Sequence, residues 1–243
     1  NGSLKSLIVQ SEDSDGDIAE VWASLLHVMQ PTLEERTMLD QNVRIVTDRV
    51  NRGTRFIGAL KTHLRSYTPD LVWLNPLQAF IDGDVTESRD LGAFLREGLN
   101  QANSDQAFGY IIVHHTTKPA TGKDKHERLW HEVMYDMAGG AELINWARAI
   151  MSLRPGEVEG EFKLVLAKRG RRAGVVKMVE QGVGTRPEPV TTIGLKHAQG
   201  KLSSGVPIIY WEACEAKPEE AKAPMGRPSK YKIEEFFQWI PRG

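Results

Sequence analysis

Apolar positions along this chain fall into short compact runs that alternate with stripes at helical spacing. Leu7-Ile8-Val9 is such a run, closed by the acidic stretch Glu12-Asp13-Ser14-Asp15, the pattern of a buried strand that ends in a polar loop. Asp15 or Ser14 is placed to cap a helix through Leu25, Leu26 and Met29, which Pro31 stops. Val43-Arg44-Ile45-Val46 predicts a second strand. Between Thr54 and Ser66, Phe56, Ile57, Leu60 and Leu64 recur at helical spacing up to Pro69. The segment from Asp70 to Leu77 is almost wholly apolar, as suits a parallel strand covered on both faces. A polar loop from Asp82 to Arg89 leads to a helical stripe of Leu91, Phe94, Leu95 and Leu99. Tyr110-Ile111-Ile112-Val113 then predicts a strand that runs into His114-His115-Thr116-Thr117-Lys118-Pro119.

This alternation predicts an α/β fold with a doubly wound, mainly parallel sheet. The polar segment from Pro119 to His131 reads as a surface loop, too long for a simple connection. Ala141 to Ala149 suits a helix. Ala149–Leu153 and Glu161–Ala167 suit strands turned by Pro155-Gly156, predicting antiparallel neighbours at one side of the sheet, with Ile208–Glu212 as the last strand. The stretch from Lys217 to Pro224 has linker composition. The expected organisation is therefore a core over 1–215, a linker over 216–230, and a short C-terminal amphipathic helix within 231–243 carrying Ile233, Phe236, Phe237 and Ile240. That helix is too small to fold alone, as at the start of a truncated domain.

Composition narrows the choices. At 243 residues and 40% apolar content the chain can bury a substantial core. With 31 Lys+Arg against 32 Asp+Glu, the net charge of -1 excludes a basic DNA-coating protein and leaves nucleic-acid contact to local patches. The single cysteine, Cys214, excludes an internal disulfide and a cysteine-based zinc site. No apolar stretch approaches the roughly 20 residues a membrane-spanning helix requires, so a cytoplasmic protein without a membrane partner is the default expectation. Asn1 is no initiator Met and neither a basic segment nor a signal-like apolar segment follows it, so the expectation is a fragment, or a processed or tagged chain.

In open α/β sheets, ligands sit outside the carboxyl ends of the strands. Three polar clusters are predicted there: Glu12-Asp13, Asn75, and His114-His115-Thr116-Thr117. Their order and spacing point to a nucleotide site.

The segments LIVQSEDSDGDI, PDLVWLNPLQAFIDGD, YIIVHHTTKP, GGAELINWARAIMSLRP and LAKRGRRAG, in this order between residues 7 and 174, resemble RecA-like P-loop ATPases of the RepA/DnaB replicative-helicase type and their phage and plasmid relatives. The remainder is similar only loosely. The resemblance implies a RecA-like fold, ATP and Mg2+ as cofactors, single-stranded DNA as partner, and a homo-oligomeric ring such as a hexamer.

It also implies roles. Glu12 matches the carboxylate that polarises the attacking water, with Asp13 beside it at the nucleotide. Asn75 stands where the Walker B strand ends in an Asp that holds Mg2+ through its hydration shell, so a neutral amide replaces a charge at the metal position. His114 and His115 match the sensor position at the γ-phosphate, with His114 expected to face the nucleotide and His115 and Thr116 beside it. Lys168, Arg169, Arg171 and Arg172 resemble the fingers that reach a neighbouring subunit's nucleotide. From the residues alone, Glu12 also fits an acidic cap or loop residue, one histidine a packing or capping role, and the basic cluster a solubilising or nucleic-acid-contacting turn.

A phosphate loop needs a glycine-rich turn feeding a helix, and no GxxxxGK[ST] occurs in these residues. Gly122-Lys123 and Gly200-Lys201 lack its spacing. The family carries that loop just upstream of the strand ending in Glu12, which places it outside these residues. The alternative is a non-catalytic RecA-like assembly or DNA-binding module that has lost Walker A and Walker B chemistry. The lysines between Lys118 and His131 suit contact with a DNA backbone, and Gly226-Arg227-Pro228 resembles the core of an AT-hook.

Overall fold

The computed structural model describes residues 3–104, 106–116, 133–137, 140–156, 158–180 and 184–214. The expected 119–131 loop, linker, C-terminal helix and AT-hook-like tripeptide lie outside these residues. Four parallel strands, β1 (Ser6–Gln10), β2 (Val43–Thr47), β3 (Leu71–Asn75) and β4 (Gly109–Ile112), form one sheet in the order β2-β1-β3-β4. Helices α1 (Asp15–Met29) and α2 (Leu33–Asn42) join β1 to β2, and α3 (Gly53–Tyr67) joins β2 to β3. The β3–β4 connection is one helical rod in three parts, α4 (Ser88–Ala93), a π-helical turn (Phe94–Leu99) and α5 (Asn100–Ala102). Because β1→β2 and β2→β3 move in opposite directions across the sheet, right-handed crossovers place α1 and α2 on one face and α3 with the α4–α5 rod on the other. This is the α/β, mainly parallel, doubly wound arrangement that the sequence predicts.

The face under α3 carries the main core. Leu7, Val9, Val72 and Leu74 alternate inward and meet Phe56, Leu60 and Leu64 of α3 and Leu91, Leu95 and Leu99 of the rod, all buried. Phe56 stacks on Phe80 at 4.2 Å and lies 6.1 Å from Phe94. Each such side chain contributes roughly 1.5–3 kcal/mol by burial, which sets this layer as the platform of the strand ends.

Helix α6 (Gly140–Trp146) ties the sheet to a second layer. Leu143 joins the main core, while Ile144 packs with Val133, Ile150, Val165 and Ala167 in a smaller cluster. Arg96 pairs with Glu142, and Trp146 Nε1 donates to Asn100 Oδ1 at 3.0 Å. The second layer is an antiparallel sheet ordered β10-β9-β6-β5, built from β5 (Ile150–Pro155), β6 (Glu161–Lys168), β9 (Thr192–His197) and β10 (Trp211–Cys214). A separate two-stranded ribbon pairs β7 (Val176–Glu180) with β8 (Thr185–Pro189).

The structure corrects several expectations. The antiparallel strands form their own sheets and do not extend the parallel one. Helix α2 escapes a reading by periodicity because it buries no residue; its visible signal is the capping box Thr32–Glu35. Strands β7, β8 and β9 were not expected. The last strand begins at Trp211, not Ile208: Tyr210 O still accepts from Ala198 N and Ile208 N donates to Gly200 O in the register that pairs β10 with β9, but between them Ile209 N turns to Ser24 Oγ on α1.

Candidate nucleotide site

The parallel ladder aligns Gln10 with Asn75 and Leu74 with Ile112, so the chain leaves β1, β3 and β4 side by side at one rim. Backbone bonds continue past the strands. Ser11 N donates to Asn75 O at 3.0 Å, Val113 N to Leu74 O at 2.9 Å, and Leu77 N to Val113 O at 2.9 Å. The three polar stretches singled out in the sequence are thereby juxtaposed.

Glu12 and His115 come closest. His115 Nε2 lies 3.7 Å from Glu12 Oε1, with the two side chains 53% and 54% exposed. A pair this open stabilises the fold by at most about 1 kcal/mol, so its interest lies in where it places a carboxylate. His114 is half-buried where His115 is exposed, and it is therefore His115 that faces Glu12 across the rim. Thr116 is exposed and its backbone bridges to Met137. Asn75 is half-buried at the end of β3, followed by a cis peptide bond to Pro76.

A residue the sequence did not reveal organises this rim. Gln10 is 3% exposed, and its side-chain amide accepts from Asp13 N at 2.9 Å, donates to Asp13 O at 3.0 Å and donates to Thr47 Oγ1 at 2.9 Å. One buried amide thus folds the Ser11–Asp13 turn around itself and fastens it to the end of β2. Arg49 adds a bond from its guanidinium to Asp13 O at 2.6 Å. The only sequence signal is a polar residue ending an apolar run, which is common to most strand ends.

Helix α1 starts from the same turn. Ser14 Oγ accepts from Asp17 N, while Asp17 accepts from Ser14 N at 2.8 Å and from Ser14 Oγ at 2.6 Å, a reciprocal capping box. These bonds, the side-chain one foremost, hold the Asp17 carboxyl below its ordinary range. Ser14, not Asp15, is the cap.

The basic cluster is divided. Lys168 donates to the carbonyls of Ile144 and Ala147, closing the C-terminal end of α6, and loss of solvent together with Arg169 and Arg148 lowers its pKa. Its ammonium is committed to that helix and is not joined to the strand-end rim. Arg169, in the left-handed region at φ 59°, Arg171 and Arg172 are exposed. No ion pair links them to Glu12 or Asp13 among the described residues.

The donor set does not by itself fit Mg2+. Asn75 offers a neutral amide oxygen, Glu12 is turned to His115, and no group of three His, Cys, Asp or Glu side chains suited to a metal occurs among the described residues. Nor do these residues contain the glycine-rich cradle that would hold a triphosphate.

No family model and no curated protein matches the chain. Among solved structures, it is similar to one described as a DnaB-like replicative helicase and its interactions with primase, at 12% identity and a TM-score of 0.49, over 80% of this chain. The chain spans 49% of the length of that helicase chain. Among the described residues no helix is long and apolar enough to cross a membrane.

Proposed function

We propose that this chain carries the strand-end half of a RecA-like ATPase site, in a cytoplasmic ring-forming protein of the replicative-helicase or mobile-element type that couples ATP hydrolysis to single-stranded DNA. The observation that carries the reading is the Glu12–His115 pair standing beside Asn75 at the rim where β1, β3 and β4 end. In this reading Glu12 accepts the proton of the attacking water, and Gln10 fixes the turn that aims it. His115 holds the carboxylate's outer oxygen and senses the terminal phosphate. Asp13, His114 and Thr116 line the same rim, and exposed Arg169 and Arg172 serve a neighbouring subunit's nucleotide, where a guanidinium can bridge two phosphate oxygens. The phosphate loop must come from residues other than these 243, and β4 has no strand partner on its outer edge among the described residues, which leaves room for a further strand.

The test is ATP turnover by the native full-length protein carrying His115→Ala or His114→Ala. His115→Ala is expected to lower kcat about tenfold or more with nucleotide affinity retained, and His114→Ala to act less. A protein that turns over no ATP, or in which only His114 matters, contradicts the reading.

Asn75 favours a second reading, a non-catalytic assembly or DNA-binding module, since a metal site without its carboxylate is weakened. Asn75→Asp separates the two: a Mg2+-dependent gain in turnover supports a working site, and a protein inert before and after the change supports the module.

A further inference from the structure

We infer that the amphipathic segment expected within 231–243 docks, inside one chain, on the open face of the antiparallel sheet β10-β9-β6-β5. The register divides that sheet into two unlike faces. Pro155, Phe162, Leu195 and Ala213 align across the four strands in one row, and Leu153, Leu164 and Ile193 form the next, so these side chains share a face. His197 pairs with Trp211 one row further along, and the ring centroids of Phe162, His197 and Trp211 lie 4.3 to 5.2 Å apart. The opposite face carries Val165, which packs with Ile144 of α6 and with Val133. That face also carries the charges of these rows, among them Arg154, Lys163, Lys196 and Glu212.

This polarity is the reverse of what water selects. An antiparallel sheet with one wet face turns its polar side chains outward. Here the face without Lys, Arg, Asp or Glu in these rows is the one left open among the described residues. Leu153 is 48% exposed, Phe162, Leu164, Ile193, Leu195 and Trp211 are half-buried, and none of them belongs to either core cluster. A contiguous apolar face of this kind marks a contact surface.

The course of the chain names the occupant. Strand β10 lies at the edge of this sheet and places Trp211 and Ala213 on the open face, and residues 215–243 follow it directly. They carry Ile233, Phe236, Phe237 and Ile240 at i, i+3, i+4 and i+7, with Glu234, Glu235 and Gln238 between, the pattern of a helix with one apolar stripe. A flexible linker as long as 216–230 spans roughly 20 Å, more than the about 14 Å across four strands, so the stripe can reach every row. Tethering at that length holds it at an effective concentration of about a millimolar, far above that of a second copy in dilute solution. A helix laid on one face of an antiparallel sheet is the two-layer packing that buries both apolar surfaces.

The test is amide exchange on the 243-residue chain, without nucleotide, at several protein concentrations. A helix this short is marginal alone in water, so slow exchange over 231–240 reports docking. The wild type is expected to show it, alike at every concentration. Phe236→Asp with Phe237→Asp in the segment, and Leu153→Asp at its exposed site on the sheet, should each speed exchange over 231–240 by about tenfold or more, with β1 and β3 exchanging as in the wild type. Leu33→Asp, at an open apolar site on α2, should leave 231–240 unchanged. Free exchange over 231–240 in the wild type overturns the proposal, whether another segment covers the sheet or none does. Protection that grows with protein concentration overturns it in favour of a second copy. Protection that survives Leu153→Asp, or is lost with Leu33→Asp, overturns it by putting the segment elsewhere. ATP turnover enters none of these readings, so this proposal and the ATPase reading fail separately.

Discussion

His115 and Glu12, far apart in sequence, face each other at 3.7 Å across the carboxyl rim of the parallel sheet. What brings them together is ladder register: β3 lies between β1 and β4, and backbone bonds extend the ladder past the last paired residues. The pair is therefore as well placed as the sheet beneath it, whose two central strands bury Leu7, Val9, Val72 and Leu74 on its inner face.

Gln10 is expected to matter more than its position at a strand end suggests. Gln10→Leu removes one acceptor and two donor bonds and leaves Asp13 N and Thr47 Oγ1 without this partner, a cost of about 1–3 kcal/mol. Thermal unfolding measures that loss, and amide exchange should show faster opening confined to residues 11–14 and 47–49. An unchanged melting temperature would mean that the amide does not hold the turn.

The start of α1 should be acid-sensitive. Asp17 is held below its ordinary value of 3.8 by Ser14, through its hydroxyl first and its backbone N–H second, with loss of solvent opposing and Arg49 assisting. A folded-state value below the unfolded one means that the bond's contribution is complete above pH 3.8 and disappears as pH falls through the lower folded value. The difference in melting temperature between wild type and Asp17→Asn should accordingly be present at neutral pH and shrink in that acidic window. A gap that is constant with pH would exclude a charge-dependent cap.

Lys168 was expected at the nucleotide, and its observed partners predict a different phenotype. Lys168→Met strips two carbonyls at the end of α6 of a charged donor, at roughly 1–2 kcal/mol. Stability should fall while nucleotide affinity of the full-length protein stays as it was. A loss of affinity with stability intact would return Lys168 to the site.

Much of the parallel half was legible because its signals are local. Leu7-Ile8-Val9, the apolar run of β3 and the stripe on α3 announce themselves by period, and strand order then delivers the three polar stretches to one rim. The second half was not. Strands β7 and β8 carry Val176, Met178, Pro187 and Pro189 on an exposed face, without the buried alternation that marks a strand, and the expected start of the last strand at Ile208 is interrupted where Ile209 N bonds Ser24 Oγ, although Ile208 and Tyr210 keep the register toward Gly200 and Ala198. The choice between His114 and His115 was equally hidden, since adjacent residues leaving a strand point to opposite sides and only the register decides which side holds Glu12.

The central claim is that Glu12 acts on water at a bound nucleotide. It is tested most directly by single-turnover ATP hydrolysis in the native full-length protein, wild type against Glu12→Gln, with nucleotide affinity measured on the same samples. The account predicts hydrolysis slowed by about 100-fold or more in the variant while affinity is retained. Hydrolysis at the wild-type rate in Glu12→Gln would contradict it.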